Sequence, residues 1–314
     1  MANTKLKHIL ESQQFDRSWI EKILFPEADQ MRKMVSVAKI KPYLKDKSIC
    51  LLFYEPSTRT RLSFQNAGLM LGARVAVTEN AKEFSSAVKG ESLKDTIRTV
   101  NALGFNAIVI RSDVEGGATE AASVSNIPII NAGDAAGQHP TQSLLDLYTI
   151  YRHFGKVDGL KIALVGDCKN SRTHRSLAYL LGKFKKITLF LVAPKEFQMR
   201  PDILDYLDRH KILYKQVPKL TDVAGNSDVV CLTRLQKERL NGQNIKFDGS
   251  GVRLTREILS QLPKNSIITH VLPRSNDFNE LPEEFTNDRR IIIFKQVENG
   301  LFIRMALLKL ILTP

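Results

Sequence analysis

The stretch that decides the fold is SICLLFYEPSTRTRLSF, residues 48–64. Its first part, residues 48–54, is a short apolar run typical of a strand that is buried on both faces. Pro56 then suits the first turn of a helix, and Ser57 or Thr58 can cap it. A strand that passes directly into a helix indicates a βαβ unit and a parallel sheet.

The same alternation of apolar runs and helical patterns continues along the chain, and these runs too are typical of parallel strands that are buried on both faces. The first series of strand-like runs comprises residues 48–54, 74–78, 106–111 and 127–132, and the second comprises 161–166, 187–193, 212–217, 228–233, 266–270 and 290–294. Helical spacing appears between them, for example at residues 92–103 and 141–154. The pattern predicts an α/β fold with two doubly wound parallel-sheet domains joined by helices.

The boundaries follow from the two series. We predict a first domain over residues 1–140, completed by a C-terminal helix over 296–314, and a second domain over 153–290. A bridging helix over 141–152 is expected between them. The length of 314 residues is comfortable for two domains. Ligands of open parallel sheets bind outside the carboxyl ends of the strands, so we expect the active site in the interdomain cleft.

Composition and cysteine content favour a cytoplasmic protein. The chain is 43% hydrophobic and 25% charged, and no apolar run is long enough for a membrane span. Residues 1–24 include acidic side chains and no secretory apolar segment, so they are expected to belong to the folded protein. Cys50, Cys168 and Cys231 are scattered without metal-binding spacing, as in proteins of a reducing compartment.

The net charge of +13 is compatible with nucleic acid, an acidic membrane or anionic substrates as partners. Its basic residues are dispersed, and the densest run, at 183–186, has no interleaved aromatic series. A solvated basic surface is therefore favoured. Binding to nucleic acid or to a membrane is not expected.

Hydroxyl and guanidinium groups are concentrated at residues 57–61, STRTR. The N–H groups and the positive end of a helix that begins here form an anion site, to which Arg59 can add a forked contact. Arg59 and Arg61 lie about 200° apart around a helix, so they do not reach one phosphate together. We assign Arg59 to the anion and leave Arg61 open. The alternative is a capped helix start that only water contacts.

Other polar residues of the first series also follow strand runs. Glu55 follows the first run, Arg111 ends the third, and His139 with Gln142 follows the fourth. Arg111 and His139 can stabilise an oxyanion, and Glu55 can orient an arginine. An exposed carboxylate, a rim arginine and a structural histidine remain the alternatives.

The second series repeats this arrangement. Arg172 begins a helix after the run at 161–166, Arg234 and Gln236 follow the run at 228–233, and Leu272 follows the run at 266–270. Together they outline a cationic site that suits a carboxylate. The loop with Ser85 and Lys89 either closes on an anion or is an ordinary surface loop.

Five motifs resemble the aspartate/ornithine carbamoyltransferase family. They are STRTR at 57–61, HPTQ at 139–142, SRT at 171–173, TRLQKER at 233–239 and HVLPR at 270–274. They occur in order over nearly the whole chain, and TRLQKER is similar to the aspartate branch. Val271 stands where that branch has proline, and the following segment 275–281 also departs from its pattern.

The resemblance implies roles at the carbamoyl phosphate end of the site. Ser57, Thr58, Arg59 and Thr60 would bind the phosphate. Arg111, His139 and Thr60 would contact the carbamoyl oxygen, and Gln142 its amino group. Ser85 and Lys89 would reach the active site of a neighbouring subunit in a homotrimer. The implied catalytic residues are therefore His139, Arg111, Thr60, Arg59 and Lys89.

The resemblance also implies an acceptor end. Arg172, Arg234 and Gln236 would hold the carboxylates of L-aspartate, and the backbone near Leu272 would touch both ligands. Glu55 would link to Arg172 and Arg239 when the domains close.

The implied reaction is transfer of the carbamoyl group from carbamoyl phosphate to the α-amine of L-aspartate, the committed step of de novo pyrimidine biosynthesis. No metal or cofactor is expected, and regulatory chains are a further possible partner. Two alternatives stay open: a different amine acceptor such as ornithine, and an inactive chain that serves as a scaffold.

Overall fold

The computed structural model describes residues 6–236 and 249–313. The chain divides into two compact units: the first comprises Met1–Tyr148 and Val297–Pro314, and the second comprises Thr149–Gln296. Each contains one parallel sheet, which confirms the predicted fold class. Within the described residues, the structure contains no helix with the length and apolar character needed to cross a membrane.

The sheet of the first unit has the strand order β2-β1-β3-β4. Its strands are β1 Ser48–Phe53, β2 Arg74–Thr78, β3 Ala107–Ser112 and β4 Ile129–Asp134. The winding reverses between β1 and β3, where Phe53 is in register with Arg111. The carboxyl ends of these two strands therefore flank the switch point at which open sheets bind ligands.

The sheet of the second unit has the order β7-β6-β5-β8-β9. Its strands are β5 Lys161–Val165, β6 Thr188–Val192, β7 Leu213–Val217, β8 Val229–Leu232 and β9 Ile267–His270. Here the winding reverses between β5 and β8. Register pairs Val165 with Leu232 and Leu232 with His270, so three carboxyl ends lie side by side.

Helices connect these strands. They are α1 Arg17–Trp19, α2 Phe25–Ser36, α3 Thr58–Met70, α4 Ala81–Phe84, α5 Leu93–Ala102, α6 Gly117–Val124, α7 Pro140–Phe154, α8 Arg172–Leu181, α9 Pro201–Arg209, α10 Arg256–Gln261 and α11 Ile293–Leu312. The start of α5 has a side-chain cap, because the Ser92 hydroxyl accepts from the Asp95 N–H at 3.1 Å. Helix α7 contains the point where the first unit ends and the second begins, at Tyr148 and Thr149.

Two strand predictions need correction. The run at 290–294 is not a strand: Ile291 forms one isolated parallel bridge with Ile268, and the chain then enters α11. The expectation of burial on both faces is wrong for β2 and β7, which are partly exposed along much of their length. Both lie at sheet edges, where one side has no neighbouring strand.

Candidate active site

The predicted anion-binding stretch lies at the start of α3. The helix begins at Thr58, Ser57 is its N-cap, and Pro56 lies just outside it, so the placement of Pro56 in the first turn is wrong. Ser57 has extended backbone geometry and makes no side-chain capping hydrogen bond. Its hydroxyl therefore does not satisfy the first N–H groups of α3, which have no acceptor inside the helix. This leaves a helix start that suits an anion.

The two arginines of the stretch diverge, as their spacing predicts. Arg59 is exposed, and partial desolvation of its guanidinium lowers its pKa from the ordinary value. Arg61 turns to Glu79, with 3.0 Å between Nη2 and Oε2. This ion pair accounts for Arg61, which the sequence left unassigned.

Thr60 joins the first motif to the second. Its Oγ1 lies 3.5 Å from Nε2 of His139, and the two residues are 6% and 3% exposed. His139 ends the turn between β4 and α7, and its carbonyl accepts the N–H groups of Gln142 and Ser143 at 3.0 and 3.1 Å. Two motifs separated by 79 residues thus meet at the sheet edge, where the strand-end rule predicts them.

Arg111 at the end of β3 pairs with Glu55 just after β1. Nε and Oε2 are 3.2 Å apart, and the side chains are 14% and 24% exposed. Arg111 also donates from Nη1 to the Ala132 carbonyl at 3.4 Å. Within the first unit Glu55 is therefore the ion-pair partner of Arg111. Of the partners implied for domain closure, Arg239 lies outside the described residues.

Gln142 lies in the first turn of α7, and its amide is held by Asp146. Nε2 of Gln142 donates to Oδ1 of Asp146 at 2.9 Å, and Asp146 is 4% exposed. A carboxylate only accepts hydrogen bonds, so the amide nitrogen of Gln142 faces Asp146 and the carbonyl oxygen faces away. Asp146 was not among the predicted site residues, although its position four residues after Gln142 puts it on the same helix face.

The second unit places its predicted residues after neighbouring strands. Arg172 is the first residue of α8, whose N-cap Ser171 accepts from the His174 N–H at 3.3 Å. Arg234 and Gln236 follow β8, and both side chains are half-buried. Since β5 and β8 flank the switch point of this sheet, the residues share one edge.

Gly166 and Asp167 shape this edge. Gly166 has a φ of +113°, and a Cβ there would lie 2.0 Å from the carbonyl oxygen of Thr233, so only glycine fits. The carboxylate of the buried Asp167 accepts the N–H groups of Asn170 at 2.8 Å and of Gln236 at 3.2 Å. It thereby ties the loop after β5 to the segment after β8.

His174 provides a second tie between these segments. Its Nε2 lies 3.1 Å from the Cys231 carbonyl, to which a protonated nitrogen donates. Burial lowers the pKa of His174 to about 3, against the opposite effect of that hydrogen bond. The imidazole is therefore neutral, and it fixes the start of α8 to the end of β8.

A buried histidine–glutamate pair holds the backbone at Leu272. His270 and Glu280 are each 1% exposed; Nε2 of His270 donates to Oε1 of Glu280 at 2.9 Å, while Nδ1 accepts the Leu272 N–H at 2.8 Å. Glu280 also accepts the Ser275 N–H at 2.9 Å. Desolvation raises the pKa of Glu280, but its hydrogen bonds outweigh this effect and lower the pKa overall. The hydrogen bond from His270 has the largest lowering effect.

Leu272 itself has a φ of +54° in the left-handed region, and its peptide bond to Pro273 is cis. The loop in which the sequence departs from the aspartate-branch pattern thus contains Glu280, the residue that anchors it. Sequence reasoning missed Glu280, whose carboxylate looks like an ordinary loop acid in the sequence.

Ser85 and Lys89 are not brought to the Thr60–His139 contact. The Ser85 hydroxyl donates to the Ala81 carbonyl and accepts the Ala87 N–H at 3.2 Å. Lys89 ends the short 3₁₀ helix Ser86–Lys89 and is exposed. In residues 6–236 and 249–313, neither side chain forms a hydrogen bond or ion pair with Thr60 or His139.

Both sheets have a switch point lined by arginine, hydroxyl and amide groups. Such an arrangement defines a class of two-unit α/β proteins that bind small anionic molecules at strand carboxyl ends.

Comparison with known families gives the particular family. Residues 7–152 match "Aspartate/ornithine carbamoyltransferase, carbamoyl-P binding domain", and residues 158–311 match "Aspartate/ornithine carbamoyltransferase, Asp/Orn binding domain". The chain belongs to the aspartate/ornithine carbamoyltransferase family, which confirms the resemblance of the motifs.

Named relatives lie on the aspartate branch. The chain is 46% identical over 311 residues to the chloroplastic aspartate carbamoyltransferase of Arabidopsis thaliana, covering 98% of this chain and 78% of that protein. It is 40% identical over 306 residues to the aspartate carbamoyltransferase catalytic subunit of Methanocaldococcus jannaschii, covering 97% of each.

The structure is similar to crystal structures of aspartate transcarbamoylase from Trypanosoma cruzi. One, in complex with carbamoyl phosphate and aspartate, matches with a TM-score of 0.90 and 35% identity, covering 100% of this chain and 98% of that one. Another, in complex with N-(phosphonacetyl)-L-aspartic acid, also matches with a TM-score of 0.90, at 36% identity over 99% of this chain and 97% of that one.

Proposed function

We propose that the chain is an aspartate carbamoyltransferase, which converts carbamoyl phosphate and L-aspartate into N-carbamoyl-L-aspartate and phosphate. The observation that carries the proposal is the Thr60–His139 contact at 3.5 Å beside the start of α3, where Ser57 makes no side-chain cap bond. It puts a hydroxyl and an imidazole next to a helix N-terminus, as a carbamoyl phosphate needs. The structures of T. cruzi aspartate transcarbamoylase with carbamoyl phosphate and aspartate support the same substrates.

The phosphate is assigned to the start of α3. Ser57, Thr58, Arg59 and Thr60 bind its oxygens through hydroxyl groups, the first-turn N–H groups and a charge-assisted guanidinium contact. Arg59 is exposed on this turn, as a residue that meets a solvent-borne anion should be. As phosphate leaves, its increasing charge is stabilised by the same groups.

The carbamoyl carbonyl is assigned to Thr60, Arg111 and His139. Attack by the neutral α-amine of aspartate produces a tetrahedral oxyanion, and these donors stabilise it. Removing one oxyanion donor typically lowers the rate by about 10²- to 10³-fold. No covalent enzyme intermediate is needed, because the amine is the nucleophile and the protein supplies alignment and electrostatics. The departing phosphate is a suitable acceptor for the amine proton.

The carboxylates of aspartate are assigned to Arg172, Arg234 and Gln236, with the Leu272 backbone next to both ligands. Support comes from the ties that hold these segments, through Asp167 to Gln236 and through His270 to Leu272.

The assembly we propose is a homotrimer in which Ser85 and Lys89 complete the site of a neighbouring subunit. Lys89 is exposed on its own protomer, which is the position that a shared site requires. We place the enzyme in the cytoplasm, because Cys50, Cys168 and Cys231 are buried and form no disulfide, as in proteins of a reducing compartment. We further propose that it catalyses the committed step of pyrimidine synthesis. Regulatory chains remain possible partners of such a trimer.

The test is a carbamoylation assay with L-aspartate, L-ornithine and an acylated ornithine as acceptors. We expect turnover with aspartate alone. Preference for ornithine would refute the assignment of the acceptor, and binding of carbamoyl phosphate without turnover would favour the scaffold alternative.

A matched variant sharpens the assay. Arg234→Ala should raise the KM for aspartate by about 10- to 100-fold, as expected for a lost charge-assisted contact, and leave inhibition by inorganic phosphate unchanged. An equal effect on both ligands would argue against a separate carboxylate site.

A further inference from the structure

The amide of Gln142 is held by the buried carboxylate of Asp146, which the reaction scheme above does not use. Asp146 accepts from Nε2 of Gln142 at 2.9 Å. Arg304, on α11, interacts electrostatically with Asp146, and both residues are 4% exposed. Burial lowers the pKa of Arg304 to about 10 and Asp146 partly offsets this, so the guanidinium remains charged at neutral pH.

Arg304 is built into the first unit by several contacts. Its Nη1 donates to the Ser63 hydroxyl at 2.9 Å, and its guanidinium lies 5.2 Å from the ring centroid of Phe64, both on α3. Gly300 leaves room for it, because a Cβ there would lie 2.9 Å from Nη1. The cation is therefore fixed against the helix that begins at the anion site, where it interacts electrostatically with Asp146 on the helix that carries Gln142.

The chemistry of the pair decides which atom of Gln142 faces a ligand. An ionised carboxylate offers acceptors only, so it holds the NH₂ of the Gln142 amide and turns the carbonyl oxygen away. The carbonyl oxygen of Gln142 can therefore accept a hydrogen bond from a ligand N–H group, and it repels a ligand oxygen. In a carbamoyl group the NH₂ donates hydrogen bonds and the carbonyl oxygen only accepts them. The NH₂ is therefore the group that fits the carbonyl oxygen of Gln142.

We propose, on the basis of the function proposed above, that Asp146 and Arg304 are positioning residues that orient Gln142 to accept from the carbamoyl NH₂. The pair thereby selects carbamoyl phosphate over acyl phosphates such as acetyl phosphate, which have a methyl group at that position. It also fixes the orientation of the planar carbamoyl group, with its oxygen toward Thr60 and His139.

The test measures discrimination rather than rate. In Asp146→Asn the new side chain offers both donor and acceptor, so Gln142 can turn over and present its NH₂. We expect the ratio of the Ki for acetyl phosphate to the KM for carbamoyl phosphate to fall by about 3- to 10-fold, the value of one neutral hydrogen bond. The Ki for inorganic phosphate, which has no carbamoyl group, should not change.

Two further variants separate orientation from general damage. Gln142→Ala should lower the same ratio, and adding Asp146→Asn to it should have no further effect, because the two residues act through one contact. Glu27→Gln is the matched control: it removes a half-buried carboxylate paired with Lys309 at 2.8 Å, and it should retain the wild-type ratio.

If Asp146→Asn is unstable because it isolates the buried Arg304, the double variant Asp146→Asn/Arg304→Gln removes the charge as well and should show the same fall. An unchanged ratio in an active variant, or an additive effect with Gln142→Ala, overturns the inference and leaves the proposed function intact. A wild-type protein that neither binds nor turns over carbamoyl phosphate overturns both.

Discussion

Replacing His174 should remove a measurable part of the acid sensitivity of this protein. The imidazole is 1% exposed, and burial lowers its pKa from 6.5 to about 3. The unfolded chain binds a proton at this position near the ordinary value, whereas the folded chain does not. Between the two values the unfolded state therefore binds more protons, and stability falls as the pH falls.

The magnitude follows from the two pKa values. The free energy of unfolding declines by up to about 1.4 kcal/mol per pH unit in this window. Between about pH 7.5 and pH 5, a pKa of 3 in the folded state and 6.5 in the unfolded state gives a loss of about 2 kcal/mol. This is a large share of a total stability of about 5–15 kcal/mol.

The assay is urea unfolding of the wild type and His174→Gln at both pH values. Glutamine retains an N–H donor for the Cys231 carbonyl but does not titrate. Between pH 7.5 and pH 5 we therefore expect the free energy of unfolding of His174→Gln to fall by about 2 kcal/mol less than that of the wild type. His153→Gln, which changes an exposed histidine, should behave as the wild type does. Parallel pH dependences for the wild type and His174→Gln would refute the reasoning.

Three other predictions concern the site and its frame. Arg59→Ala should lower kcat/KM by about 10- to 100-fold with an unchanged unfolding transition. Arg61→Ala, which breaks the ion pair with Glu79, should lower kcat/KM less. Near-normal turnover of Arg59→Ala would mean that phosphate binds elsewhere. Mixing inactive Lys89→Ala with inactive His139→Ala subunits should restore activity, because some sites then receive both native residues, and no recovery would argue against shared sites. In thermal unfolding, Gly166→Ala should destabilise the protein by about 2 kcal/mol or more relative to Gly159→Ala. Both glycines have a positive φ, but only a Cβ at Gly166 would lie against Thr233. Equal effects of the two substitutions would contradict this prediction.

Most of the fold could be predicted from local patterns. Buried parallel strands are short apolar runs, and every predicted run except that at 290–294 corresponds to a strand with ends shifted by at most two residues. The exception contains three isoleucines in a row, and such a short apolar run does not distinguish a strand from the start of a buried helix. The exposed edges of β2 and β7 depend on strand order, which the sequence does not contain.

Local patterns predict where residues that follow strands will lie, but not which distant residues will contact them. Thr60 and His139 come into contact, and Arg111 lies beside Phe53, because parallel strands end at one edge. Asp146 and Glu280 are different: their carboxylates are buried only because partners elsewhere in the fold hold them. Burial of a charge depends on such tertiary partners, so an isolated acid in a sequence resembles a surface residue.

The two helix starts show why similar motifs favour different anions. In α8 the Ser171 hydroxyl accepts from the His174 N–H at 3.3 Å and lies 2.9 Å from the Thr173 hydroxyl, so the serine caps its own helix. In α3 the corresponding Ser57 makes no such bond. A ligand at α3 therefore meets backbone N–H groups and the helix dipole, which suit the higher charge of a phosphate, whereas a ligand at α8 depends more on Arg172 itself, which suits a carboxylate. Capping, rather than the arginine that both motifs share, separates the leaving-group end of the proposed reaction from the acceptor end.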